Sequence, residues 1–295
     1  MSTGSRSIAS PPLPISTATA RCRGTLRTLC VAGVLLAIGL AAAAQAQELR
    51  ELPWRNRGTA PPPVVSPPPT PDPAPHSAGS QPTSWKAVLV AGDDAQHVFS
   101  NAIAALRRQL TGFGVAPTDI SVLTADSRDR ATIADRANFD AQSARLVGPA
   151  GSGCFVFITS HGQRNEGLYL KRARIMLAPA HLDFVVNRGC GDRPTVVVTS
   201  GCYSGLYTDD PGMRRANRIL LTAARADRTS FGCSNDYQFT FYDHCFLDSL
   251  RRGEPWTAIA QRVRACVERR ESQVDAIASF PQTFFGPRVA GLTAF

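Results

Sequence analysis

The chain has 295 residues, 43% of them hydrophobic, with 32 Lys and Arg against 23 Asp and Glu. That is enough apolar material for a proper core and rules out a disordered or collagen-like chain. The formal charge of +9 is spread along the sequence without a Lys/Arg run interleaved with aromatics, so it gives no reason to expect a nucleic acid partner.

The first 46 residues carry Arg21, Arg23 and Arg27, then an apolar run from Val31 to Ala44, then Ala44-Gln45-Ala46. This is the pattern of a secretory signal peptide, with a short h-region and a small-residue cleavage site. The competing reading is a membrane anchor. A span needs about 20 predominantly apolar residues, and this run is Ala-rich and broken by Gly33 and Gly39. The expectation is cleavage after residue 46, no membrane span in the mature chain, and a periplasmic or secreted protein. Four arginines and no acid leave with the segment, so 28 basic residues then face 23 acids.

Residues 47–83 follow as a linker, dense in proline at Pro61-Pro62-Pro63 and Pro67-Pro68-Pro69. Such a stretch cannot bury a core and reads as an extended, semi-rigid spacer. From residue 84 to 295 apolar runs alternate with helix-like stretches, the signature of a parallel sheet covered on both faces.

The spacing predicts strands over Lys86–Ala91, Ile120–Thr124, Phe155–Thr159, Thr195–Thr199 and Ile219–Ala224. It predicts helices over Val98–Leu110, Ala131–Leu146, Pro179–Asn187, Phe239–Arg252 and Trp256–Glu271. Leu168–Met176 suits a small hairpin.

Two strand ends carry reactive side chains. The third runs Phe155-Val156-Phe157-Ile158-Thr159-Ser160-His161-Gly162, and the fourth runs from Thr195 to Ser200-Gly201-Cys202-Tyr203-Ser204-Gly205. In open α/β sheets the working residues sit beyond the carboxyl ends of the strands, so adjacent strands would bring His161 and Cys202 to one crevice. Cysteine attacks as the thiolate and needs a proton acceptor, which an imidazole supplies near neutral pH. The oxyanion of acyl transfer needs main-chain N–H donors, here expected from Gly162 and Cys202, glycine allowing the close approach.

Taken one at a time, a strand-end cysteine is more often an inert core residue and His-Gly more often a turn. Their occurrence at the ends of consecutive apolar strands is what favours chemistry. A hydrolase elbow over Ser200-Gly201-Cys202-Tyr203-Ser204, with Cys202 as its nucleophile, is disfavoured, because its histidine should follow the nucleophile, and only His244, inside a helix, does. His97, after the first strand, is a pocket candidate.

Six cysteines remain after residue 46. Spacing does not settle their pairing, but placement beside two core strands and on two closing helices favours Cys154 with Cys190 and Cys245 with Cys266. With Cys202 free as nucleophile, one further thiol stays unpaired. No CxxC or compact Cys/His cluster suggests a metal.

These strand ends, with Asp227-Arg228-Thr229-Ser230-Phe231-Gly232-Cys233 after the fifth strand, resemble the legumain family of cysteine peptidases. That family lies within the caspase-like group, which includes gingipains and the catalytic subunit of the GPI transamidase. The resemblance covers most of 85–252 and looks closest to bacterial members.

It implies a caspase-like three-layer α/β/α sandwich with a mostly parallel central sheet. It implies a cysteine endopeptidase with a His161–Cys202 dyad and a thioester intermediate, acting on peptide or protein substrates without a cofactor. Thr229 and Ser230 would lie against an extended peptide by strand addition, and Ser200 occupies the specificity position two residues before the nucleophile. Plant and animal legumains have an acid there and an Arg-His pair after the first strand; this chain has Ser200 and, roughly, Phe99-Ser100. Asparagine specificity is therefore not implied. Asp93 and Asp94 could form an acidic pocket for a basic residue. The alternatives are a transpeptidase or transamidase with the same dyad, and a silent peptide-binding module.

Overall fold

A computed structural model describes residues 81–126 and 132–295; the expected signal peptide and almost all of the Pro-rich linker lie outside them. Seven strands form the central sheet, in the order β10-β9-β8-β4-β1-β2-β3. They are β1 Ser84–Ala91, β2 Ile120–Thr124, β3 Thr132–Ile133, β4 Ser152–Thr159, β8 Thr195–Ser200, β9 Arg218–Thr222 and β10 Gln282–Phe285. All pair in parallel except β10, which runs antiparallel along β9. A separate three-stranded sheet joins β5 Gly162–Gln163, β6 Gly167–Leu170 and β7 Ile175–Leu177.

The alternation of side chains along each strand sorts the core into two layers. Ala87, Leu89, Phe155, Phe157, Val196, Val198, Ile219 and Leu221 face one side. There they meet α1 Val98–Gly112, α5 Phe241–Ser249 and α6 Trp256–Gln273 through Phe99, Ile103, Leu106, Phe246, Trp256 and Ile259. Val88, Val90, Val156, Ile158, Val197 and Leu220 face the other side. That layer is closed by α2 Arg136–Ala144, α3 Pro179–Cys190 and the short α4 Leu206–Asp209, through Phe139, Leu182, Val185, Val186 and Tyr207. A strand buried on both faces has no polar side to show, and all eight residues of β4 are buried.

The five expected core strands are present, with ends shifted by up to three residues. Three elements differ from expectation. Thr132 and Ile133 fall where a helix was expected and instead pair with Leu123 and Thr124. The helix begins only after Asp135, whose carboxylate accepts from the Asn138 N–H at 2.8 Å as an N-cap. The hairpin at 168–176 gains a third strand, Gly162–Gln163, directly after His161. The edge strand β10 has no counterpart in the sequence reading, because four residues after a proline carry too little periodicity.

Both expected disulfides form, Cys154–Cys190 with Cα atoms 5.9 Å apart and Cys245–Cys266 at 5.6 Å. Cys154 lies within β4 and Cys190 in the last turn of α3, so the first bridge ties the sheet to the helix that covers it. The second staples α5 to α6. No helix among the described residues is long and apolar enough to cross a membrane.

Candidate active site

β4 and β8 are neighbours near the middle of the sheet, in a register that pairs Thr159 with Ser200. His161 and Cys202 each lie two residues beyond that pair, at the carboxyl end. The parallel ladder runs one step further, with the Ser160 N–H donating to Ser200 O at 3.0 Å. Beyond it the two chains touch at Gly162, where a Cβ would fall 2.0 Å from Cys202 O. Only glycine permits that approach, and it presses the main chain after the histidine against the main chain of the cysteine.

The loop carrying Cys202 is held firmly. Tyr203 sits at φ 59°, a left-handed conformation that a non-glycine residue adopts only when its surroundings hold it there. Its N–H donates to Arg228 O at 2.7 Å. The Ser204 hydroxyl accepts from the N–H groups of Ala223 and Ala224 at 3.1 and 3.2 Å, which ties the loop to the end of β9. The Cys202 N–H has no partner among the described residues and is available as a donor.

The thiol is half-buried and unpaired. It faces Ser230, whose N–H approaches Sγ at 3.4 Å, whose hydroxyl lies 3.8 Å away and whose carbonyl oxygen lies 3.6 Å away. His161 has other neighbours. Its Nε2 is 2.7 Å from Gln96 Oε1, and its ring packs edge-on to Phe99 with centroids 5.1 Å apart. The two loops thus meet at the carboxyl end of the sheet, and none of these side-chain contacts joins the imidazole to the thiol directly.

Residues 149–254, the stretch that holds both side chains, match the family described as the peptidase C13 family. Over that stretch, a little over a third of the chain, the sequence is similar to the cysteine peptidases of the legumain family. A solved relative in fold is caspase-1 from Spodoptera frugiperda, superposing with a TM-score of 0.52 over 75% of this chain and 94% of that one at 11% identity. No curated protein matches the chain.

Around these two strand ends the other expected site residues separate. Ser230 is against the thiol as expected. Thr229 is exposed, and its N–H and C=O have no partner among the described residues. Ser200 is 1% exposed and its side chain turns to the buried Asp243, so it lines no specificity pocket. The side chains of a strand alternate in facing, and this one faces α5.

Asp93 and Asp94 do not form an open acidic pocket either. Lys171 pairs with both, at 3.4 Å to Asp93, and Arg172 lies 2.7 Å from Asp94. The Lys171 ammonium holds the Asp94 carboxyl below the usual carboxylate range. His97 points its Nε2 at Tyr237 O at 3.1 Å, bracing the 235–238 loop. Phe99, which with Ser100 falls roughly where the resemblance put a second specificity position, is fully buried and packs edge-on against the imidazole.

The other unpaired thiol among the described residues, Cys233, is no rival nucleophile, since burial pushes it up to about 12.

Two functional neighbours were missed from the sequence. Gln96 follows β1 as an unremarkable loop residue, and only the sheet order brings it to His161. Asp243 sits in the first turn of α5, wholly buried, and accepts from the Thr159 hydroxyl at 2.7 Å. Thr240 caps this helix three residues before it, its Oγ1 accepting from the Asp243 N–H at 3.0 Å. Nothing in that spacing says that the carboxylate lies under the two strand ends. Burial raises it to about 6, against the opposing effect of the nearby Ser200, Thr159 and Thr240 hydroxyls.

Proposed function

We propose that the chain is an exported endopeptidase that cleaves peptide bonds through Cys202 and His161. The observation that carries this reading is the contact at Gly162. It supports the reading because it presses the main chain of Gly162 against that of Cys202, with the thiol on one loop and the imidazole on the other.

The chemistry follows from these groups. With Nε2–H donating to Gln96 Oε1, the other ring nitrogen, Nδ1, keeps its lone pair and takes the proton of Cys202 Sγ. The thiol leaves Ser230 and turns toward the ring for this step; such contacts commonly tighten only when substrate is bound. The thiolate attacks the carbonyl carbon, and the N–H groups of Gly162 and Cys202 hold the oxyanion. His161 returns the proton to the leaving nitrogen as the C–N bond breaks, which leaves a thioester on Cys202. Water attacks the thioester, giving a proton to His161, and the acid departs as the thiolate re-forms.

The segment after β9 supplies a place for the peptide. Its far edge is tied down by Phe241 N–H donating to Phe231 O at 3.0 Å. Neither Thr229 nor Gly232 uses its main-chain N–H or C=O within the described residues, so an extended peptide can add here as a strand, passing Ser230 beside the thiol.

Export is supported by the signal-like residues 1–46 and by two disulfides, which persist in oxidising compartments.

The test is labelling of the purified chain with a peptidyl acyloxymethyl ketone. Label on Cys202, absent in Cys202→Ala and strongly slowed in His161→Ala, supports the reading. A folded protein that never labels overturns it. An amine nucleophile added to the reaction reports transpeptidation if it appears in the product.

A further inference from the structure

The two rims of the candidate site differ in charge. On the β1 side Asp93 and Asp94 are matched by Lys171 and Arg172. On the β9 side the guanidiniums of Arg164, Arg225 and Arg228 stand around one carboxylate, Asp227.

Arg225 takes that carboxylate in both oxygens, at 2.5 and 2.9 Å, and these hydrogen bonds hold it down to about 2. Arg228 reaches Asp227 only at 3.9 Å, and its buried Nε has no hydrogen-bond partner. Arg164 makes no ion pair among the described residues. Its Nη2 donates to the main-chain oxygen of Asp227 at 3.2 Å, and its guanidinium lies 5.2 Å over the Tyr203 ring, next to the nucleophile. Glu166, in the same turn, is turned to the Gln163 amide. Phe280 supports Arg225 and Arg228 from beneath, at 5.1 and 5.9 Å.

Two guanidiniums therefore lack a carboxylate of their own while being held by aromatic rings and main-chain oxygen. A pre-positioned planar fork of this kind suits a carboxylate better than any other common side chain. Their position relative to the reaction follows from the proton transfer. The leaving nitrogen must face His161, so the chain beyond the scissile bond crosses the β5–β6 hairpin, which begins at Gly162 and carries Arg164 in its turn.

We propose that Arg164 and Arg228 receive an acidic side chain in the leaving half of the peptide substrate, making this peptidase selective for acidic residues after the cut. This rests on the His161–Cys202 reading above.

The test uses the full chain in two forms. Wild type is given a randomised peptide library whose cleavage products are sequenced, followed by matched peptides with Asp-Glu or Asn-Gln in the leaving half. Cys202→Ala is titrated with the same peptides by fluorescence anisotropy.

The acidic member should be preferred about five- to tenfold in kcat/KM and in affinity, the preference shrinking as salt is raised. Arg164→Glu, at an exposed position, should abolish or invert it, and Arg228→Gln should weaken it. Equal use of acidic and neutral peptides, or a preference that survives Arg164→Glu, overturns the inference while leaving the peptidase reading intact. Acid-dependent binding to Cys202→Ala that is lost in Arg164→Glu, beside a wild type that neither cleaves nor labels, supports the arginine rim and overturns the dyad instead.

Discussion

Replacing Asp243 with asparagine should remove a pH-dependent cost that the fold carries at neutral pH. The carboxyl is wholly buried, one oxygen accepts from the Thr159 hydroxyl, and the other has no hydrogen-bond partner within contact distance. Burial moves it from an ordinary value of 3.8 to about 6. The protonated form is thus favoured in the folded state, and between these two values the folded chain binds more protons than the unfolded one. The stabilisation is complete below about 3.8 and is lost as pH rises through about 6. At about 1.4 kcal/mol for each unit, the loss is about 3 kcal/mol by pH 7.

Asparagine keeps an acceptor for Thr159 and has no proton to lose, so its stability should lack this slope. It adds two buried N–H donors, whose imperfect pairing costs about 1–3 kcal/mol, so the absolute stabilities of the two proteins at pH 7 should be similar. The informative quantity is their difference against pH. Urea unfolding of both proteins from pH 3 to 7.5, with disulfides intact, should show wild type losing about 3 kcal/mol relative to Asp243→Asn. Acids with lowered values, such as Asp94, Asp183 and Asp227, act in the opposite direction but are common to both proteins and cancel. Parallel stability curves would refute the assignment of a raised, titrating carboxyl beneath Thr159 and Ser200.

Gly162→Ala should cut kcat by at least about a hundredfold, the scale of losing one oxyanion donor, because its Cβ would displace Cys202 O; steady-state kinetics on a fluorogenic peptide, with circular dichroism as control, measures it. Gln96→Ala should lower kcat more than it raises KM and should change the pH–rate profile on the His161 limb, whereas a purely structural role would leave that profile unmoved. Removing either disulfide by paired Cys→Ser substitution should cost about 3–4 kcal/mol, since the bridges close loops of 36 and 21 residues; urea midpoints check it, and an unchanged midpoint would contradict the loop-closure argument.

Much of the architecture was legible because it rests on local patterns. Runs such as Phe155-Val156-Phe157-Ile158 and Val196-Val197-Val198 can be buried only as strands covered on both faces, and their alternation with amphipathic stretches requires a parallel sheet. The same runs end in His161 and Cys202, so the candidate dyad could be read directly from the strand ends. Placement of four cysteines beside predicted core strands and on predicted helices also favoured the disulfide partners that form.

Chain-distant proximity was not legible. Gln96 reaches His161 because β1 is the neighbour of β4, and Asp243 reaches Thr159 because α5 packs across the sheet; neither follows from the residues around them. Asp93 and Asp94 read as an open acidic site only until Lys171 and Arg172 arrive from the β6–β7 turn. Ser200 faces the buried Asp243 rather than a pocket because strand alternation fixes its facing, and the occupant of that face comes from a helix more than 40 residues later. Periodicity along the chain therefore determined which segments fold and where the reactive side chains emerge. Which charges meet, and which remain free to bind, was decided by sheet order and by packing across it, since electrostatic partners are set by distance in space rather than along the sequence.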